Sequence, residues 1–578
     1  MRFIRFLAVV LVPAMLLTCK DNQRNDNSVI HIRLKKDPER LHPLVFPTPT
    51  AREVYQYIHV PLAELDPQTQ DLVPVLATEI PQELAIDTGK YAGGVYLDVE
   101  IDADASWDNG SPVTAKDYAF SLKSILLPLT AAGNYRDLAQ HIADVQLDNG
   151  NPRKCRVIFA KENILAKEIA MTIEVYPQYV YDSLYVLDKY PFTQLATATE
   201  EWASADSNLV RYADAFNGAM FSREKVAGAG PYRLVSWTTD EQIVLERKDN
   251  YWGAAKNQAS LRQGPKTMVF HVLPDELAAV TQLKAGALDV VNELSADYYK
   301  ELQDDPVLSP RFHFFHPALM KQYYIALNNS DPILTDPLVR KAVAHLVETD
   351  NIIQSVEMGM GLRSAGPVHP LKKTYNSSLV PIPYDIEKAK ELLAQAGWKD
   401  TDGDGVLDKV LQGKKTPLQL DILISGQALG KKISLLLQES AARAGMKITI
   451  TEKDFKLIRA EHLKTRKYQL IPSVQSQDIV KWDDLSKWTS ENDSPEGNND
   501  VSYHNAATDA MISSILTVKD EGERINLYKK IQQQIYDDQP VVFLYAPEER
   551  LIVSKKWQAG ASIRRPGYQA NTFVLNSQ

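Results

Sequence analysis

The chain has 578 residues, 64 Lys plus Arg against 74 Asp plus Glu, 44% hydrophobic residues and two cysteines. That length is more than one small domain uses and supplies ample core. A net charge of −10 argues against a protein built to grip nucleic acid, which needs clustered Lys and Arg.

Arg2 and Arg5 precede a 12-residue apolar run, Phe6 to Leu17, that ends at Thr18, Cys19, Lys20 and Asp21. This is the pattern of a secretory signal peptide, residues 1–18. The run is too short to span a bilayer core, which takes roughly 20 residues. Leu16, Leu17, Thr18 and Cys19 resemble a bacterial lipobox, which makes Cys19 the lipidated first mature residue and 19–27 a polar tether. Stable anchoring needs more than one acyl chain, and a triacylated Cys19 supplies three. The expected place is the periplasm, on the inner or outer bacterial membrane. Without Arg2 and Arg5 the net charge becomes −12. Cys155 is then the only other thiol, so no intramolecular disulfide is expected, and its strand-like surroundings predict a small buried apolar residue.

In chain order, Val29–Leu34 alternates as a strand. Residues 37–49 hold four prolines and read as irregular, and 52–60 reads as a short helix. Short strands fill 65–160, with a strand over 91–101 and a helix over 114–126 capped by Thr114, with Asp117 in its first turn. Strands follow at 243–247 and 267–273. The second half alternates helices at 276–285, 337–347, 386–396, 431–444 and 520–537 with strands at 323–327, 418–424, 447–451 and 469–474. Such alternation is the mark of an α/β lobe.

Seven blocks in one order resemble the family 5 solute-binding proteins of ABC importers. They are WDNGSPVTAKDYAFSLKSIL (107–126), GAGPYRLVSWTTDEQIVLERKDNYW (228–252), LKAGALD (283–289), 328–353 with its core DPLVRKAV, YDIEKAKELLAQAGW (384–398), TDGDGVLD (401–408), and 524–540 followed by VVFLY. The resemblance implies an α/β, two-lobed periplasmic-binding-protein-like fold with an extra inserted subdomain, closing on a hinge around its ligand. Lobe one is expected at 28–62, 200–274 and 541–578, the inserted subdomain at 63–199 and lobe two at 275–540. It further implies a monomer that captures peptides and delivers them to ABC permease subunits. Receptors for an oligosaccharide, a metal chelate or haem remain alternatives within the family.

In the peptide binders of this family the ligand lies extended and pairs its main chain with both lobes. Counted from Tyr468, the family's ammonium-gripping acid falls on Asp478, with Val474 and Ser476 as alternating backbone partners. The opposite wall falls on Thr48 and Pro49. The dipeptide binders' carboxylate-holding Arg has no counterpart in Ile424, Ser425, Gly426 and Gln427, which favours longer peptides, and Arg363 is a solvated residue by default.

Other constellations carry less. Asp400, Asp402, Asp404 and Asp408 resemble part of a calcium loop, but the twelfth position is Leu411 where an EF-hand needs Glu, so an Asx and Gly turn is the better reading. His313 and His316 fall on opposite faces of a strand and form no zinc site. Tyr176, Tyr179, Tyr181, Tyr185 and Tyr190 suit packing better than a sugar site. No HExxH, GxSxG or GxxxxGK[ST] pattern occurs. No catalytic residue, resident metal or cofactor is expected. A cleft-based hydrolase using paired carboxylates is the alternative from another class.

Overall fold

Ile30, Ile32 and Leu34 are fully buried, and their strand, Val29–Leu34, lies inside a seven-stranded sheet of the computed structural model. The structure describes residues 29–576 apart from 46, 478, 480, 483, 484, 496, 516, 517 and 519. The sheet runs Phe312–Phe315, Leu551–Ser554, Val290–Val291, Val29–Leu34, Thr267–Val272, Gln242–Arg247, Tyr232–Thr238. Val29–Leu34 pairs in parallel with Thr267–Val272, Val29 opposite Thr267, and meets Val290 at Ile32.

A second, six-stranded sheet runs Gly361–Arg363, Val541–Pro547, Lys321–Leu327, Leu470–Ser476, Gln419–Ile424, Lys447–Glu452. Ile325, Ile422 and Leu544 face one core, and Tyr324, Leu423 and Phe543 face another. Every residue of Val541–Pro547 is buried, which is why VVFLY reads as a continuous apolar run and not as an alternating one.

The segment 63–199 carries a four-stranded antiparallel sheet, Glu83–Ala85, Val95–Glu100, Lys154–Phe159, Ile142–Leu147, packed on the helix Ala115–Leu126. That helix begins at a capping box: the Thr114 N–H donates to Asp117 Oδ2 at 2.9 Å. Short helices between Ala166 and Asn217, which periodicity did not reveal, complete the unit. Ala203, Leu209, Phe216 and Phe221 lie beyond residue 199 yet belong to the same core.

Two chain crossings join the sheets. Residues 316–320 lead from Phe312–Phe315 to Lys321–Leu327, and 548–550 lead from Val541–Pro547 back to Leu551–Ser554. They run side by side: Ala318 bridges Glu548, and the Glu549 N–H donates to the Pro317 carbonyl at 2.7 Å. The strands therefore divide differently from the boundaries expected at 275 and 541. Phe312–Phe315 and Val290–Val291 pair in the seven-stranded sheet, and Val541–Pro547 pairs in the six-stranded one. The change of rhythm at 276 was misleading because Ala279, Val280 and Leu283 pack with Val291 and Ile552 of the first sheet.

Candidate ligand-binding cleft

The strands Leu470–Ser476, Gln419–Ile424 and Lys447–Glu452 are mutually parallel, so their carboxyl ends share one end of the six-stranded sheet. Lys321, where the 316–320 crossing enters, lies at that end too, opposite Ser476. The carboxyl ends thus face the other half of the molecule, the place where open α/β sheets receive ligands.

One strand has an open edge there. Leu470–Ser476 is paired along its length with Lys321–Leu327, but its other side meets Gln419–Ile424 only at Leu470. The Gln477 N–H donates to the Met320 carbonyl at 2.8 Å, and the Asn328 N–H donates to the Gln469 carbonyl at 3.0 Å. Odd-numbered residues therefore spend their main-chain groups on the neighbouring strand, and residues 472, 474 and 476 turn theirs to the open side. Pro472, which has no N–H, sits at this parity, where none is needed for the ladder. Val474 and Ser476 are exposed.

The opposite face of the same strand pair is closed by amides. Gln475 Nε2 and Gln477 Nε2 each donate to Gln322 Oε1 at 2.8 Å and also reach the Pro367 carbonyl. Gln322 Nε2 donates in turn to Ser364 Oγ and to the carbonyls of Gly366 and Val368. The loop that follows is fixed by His369, whose N–H donates to Gln477 Oε1 at 2.8 Å and whose Nε2 donates to the Leu319 carbonyl at 3.0 Å. Its Nδ1 accepts the Leu371 N–H, so the ring is held as the neutral Nε2–H tautomer. Burial lowers its pKa to about 4.

Charges line the crossings. Arg550 pairs with Glu357 and donates to the Leu294 carbonyl, tying the two halves together, and the Tyr545 hydroxyl donates to Glu357 Oε1 at 2.8 Å. Arg565 Nη2 donates to Glu293 Oε1 at 2.5 Å. Glu549 accepts the N–H groups of Glu293 and Arg550, and burial pushes its pKa up. The buried Glu53 carboxylate accepts a 3.3 Å bond from Asn292, and burial, then Glu293, hold its pKa well above the carboxylate range. Lys321 has no ion pair among the described residues, and burial, then Arg565, lower its pKa. None of these was singled out from the sequence. The available signal was Glu548, Glu549 and Arg550 following directly on a wholly apolar strand.

Asp478, Cys19, the signal segment and the tether lie outside the described residues. Thr48 caps the helix Pro49–Tyr55: its Oγ1 accepts the Ala51 N–H at 3.1 Å, and Pro49 occupies the first helical turn with its ring exposed. The helix thus starts three residues before the expected 52. Arg363 is engaged by Asp350 at 2.8 Å and by the Ile382 carbonyl. Lys415 bridges Asp402 and Asp408, and Asp400 accepts the N–H groups of Gly403 and Gly405, so the acidic loop's charges are answered within the chain. His316 pairs with Glu548, and His313 stacks on Phe315. Tyr176 and Tyr181 are core residues. Cys155 is buried, its thiol pushed up to about 12 by burial.

The family model described as "Bacterial extracellular solute-binding proteins, family 5 Middle" matches residues 72–496. The chain belongs to the family 5 bacterial extracellular solute-binding proteins. Membership of family 5 makes it a binding protein and not an enzyme. The oligopeptide-binding protein AppA of Bacillus subtilis is 28% identical over 333 residues, 57% of this chain and 58% of AppA. The periplasmic oligopeptide-binding protein OppA of Escherichia coli is 25% identical over 492 residues, 82% of this chain and 80% of OppA. Among solved structures, AppA from Bacillus subtilis with a nonapeptide matches with a TM-score of 0.67 at 21% identity, covering 95% of this chain and 99% of that one. NikA from Brucella suis with Fe(III)-EDTA matches with a TM-score of 0.74 at 17% identity, covering 95% and 100%. Both show that the α/β fold is shared with family 5 binding proteins. No helix among the described residues is long and apolar enough to cross a membrane.

Proposed function

We propose that the chain is a lipid-anchored receptor that captures peptides, oligopeptides above all, between two lobes and hands them to the permease of an ABC importer. The lobes are centred on the two sheets, with the unit built on 63–199 inserted in the first and the crossings 316–320 and 548–550 as the hinge. The observation that carries the reading is the open edge at Val474 and Ser476, an arrangement suited to adding one extended peptide strand by main-chain hydrogen bonds. Two residues further along the chain, Asp478 would take the ligand ammonium, and the exposed Pro49 beside Thr48 would contribute the opposite wall. The oligopeptide-binding relatives AppA and OppA support the same ligand class.

Mass spectrometry of material retained by the protein purified from its host tests this. Peptides of several residues are the expected finding. A retained metal chelate, haem or oligosaccharide in their place would overturn the peptide reading.

A further inference from the structure

A buried side chain of the unit built on 63–199 crosses the cleft to the six-stranded half. The strands Ala63–Leu65 and Leu72–Pro74 form a hairpin whose turn is tightened by Asp66: its Oδ1 accepts the N–H groups of Gln68 and Thr69, and its carbonyl accepts that of Gln70. Gln70 is thereby held at φ +59, in the left-handed region that a residue other than glycine seldom adopts. Most residues at a hairpin tip are solvated, yet Gln70 is only 4% exposed. Its amide crosses to the loop 369–373: Nε2 donates to the Leu371 carbonyl at 2.8 Å, and Oε1 accepts the Lys373 N–H at 3.3 Å. Beside it, Asp71 pairs with Lys373 at 3.1 Å.

The receiving loop is wired to the rest of the cleft. Leu371 N–H rests on His369, and His369 holds both Gln477, next to the candidate ligand acid, and Leu319 in the hinge crossing. A second contact between the same two parts lies at Ile164 and Leu165, which pack against the cluster containing Trp482, Leu485 and Trp488.

We propose that Gln70 is a latch: a positioning residue that holds the cleft closed by pairing with the main chain of loop 369–373, and so sets how long a ligand stays. A glutamine suits this task because it satisfies one donor and one acceptor of the loop at once and carries no charge to bury. Being made only in the closed arrangement, the pair of bonds shifts the open–closed balance by their full worth. The adjacent Asp71–Lys373 pair is exposed and contributes little. The proposal rests on the closing-cleft reading above.

The test compares the wild type with Gln70→Ala, and with Gln70→Glu, which keeps the side chain's shape but loses the donor and sets a carboxylate against the Leu371 carbonyl. Ligand-free protein is followed by hydrogen exchange and small-angle scattering. Expected in both variants is about tenfold faster exchange across 369–373, a larger radius of gyration, and unchanged exchange in the core strand Val541–Pro547. The control in that strand separates unlatching from general unfolding. Exchange in 369–373 and scattering identical to the wild type in Gln70→Glu would overturn the proposal. A second arm measures release of a fluorescent pentapeptide, expected to be about tenfold faster in the variants with association unchanged. Release at the wild-type rate from both variants also overturns it. Failure of the wild type to bind any peptide counts against the peptide reading alone, since the ligand-free arm decides the latch.

Discussion

Val474 stands directly opposite Tyr323 across the strand pair, yet it is 51% exposed and its main-chain groups point away from the ladder. A proline at 474 should then leave the sheet nearly intact, because the N–H it removes bonds nothing in it. A proline at 475 removes a ladder bond and leaves the partner carbonyl unpaired, which should cost about 1 to 3 kcal/mol. Urea unfolding of Val474→Pro and Gln475→Pro checks the difference, and calorimetry with a bound peptide should show the affinity loss falling on Val474→Pro. Equal destabilisation by the two would mean the strand parity is wrong.

Asp478 follows this edge by two residues. If it faces the ligand ammonium, Asp478→Ala leaves that charge enclosed without its partner, and affinity should drop by about 3 to 5 kcal/mol. N-acetylated peptides, which lack the ammonium, should bind the variant no more weakly than the wild type, because in the wild type they leave the carboxylate enclosed without its partner. Equal affinity of the two proteins for free-amine peptides would remove Asp478 from the site.

Arg550 reaches from the crossing 548–550 to Glu357 of the six-stranded half and to the Leu294 carbonyl of the other. Both side chains are largely buried, with 16% and 7% exposure, so Arg550→Met strands a buried carboxylate and should destabilise by about 3 to 5 kcal/mol. The double variant Arg550→Met, Glu357→Gln should recover part of that loss, because neither charge is then left alone. Chemical denaturation of the set gives the coupling, and strictly additive effects would show that the pair does not act as a unit.

The sequence made the fold legible where patterning is local. The strand Val29–Leu34 and the helix Ala115–Leu126 with its Thr114 cap lie where alternation and capping chemistry put them. Sheet membership was illegible because a continuous apolar run such as VVFLY says only that both faces are covered. Nothing in it names its neighbours. Likewise Gln70, Gln322 and His369 are polar residues without a motif, and their roles come from partners far away in the chain, such as Leu371 for Gln70. Thr48 and Pro49 also carry a local signal for a helix start, a capping hydroxyl followed by proline, which is where the helix Pro49–Tyr55 begins.

His369 is fully buried and neutral, with a pKa near 4 against 6.5 for the free side chain. Between those values the unfolded chain takes up a proton there and the folded chain does not, so stability falls as pH drops from about 6.5 to about 4. The effect of this one group is worth roughly 3 kcal/mol over that window. Glu53 and Glu549, whose pKa values are raised by burial, work in the opposite sense. His369→Gln isolates the histidine, since its amide can still donate to the Leu319 carbonyl without titrating. The wild type should lose stability relative to this variant on acidification. A difference that stays constant from pH 7 to pH 4 would show that His369 is not held neutral.

Cys155 and Cys19 make opposite predictions about thiol chemistry. Cys155 is enclosed in the strand Lys154–Phe159 with its thiol pushed up to about 12, so a thiol reagent at pH 8 finds almost no thiolate and no access. Cys19, if it carries the lipid, has no thiol left once the thioether forms. The exported protein should therefore show no fast-reacting thiol when folded and one when unfolded in denaturant, and Cys155→Ala should abolish that one. The variant removes a buried sulfur of small volume and should cost about 1 kcal/mol. A rapidly reacting thiol on the folded exported protein, persisting in Cys155→Ala, would place an unmodified cysteine at position 19 and end the lipid-anchor reading.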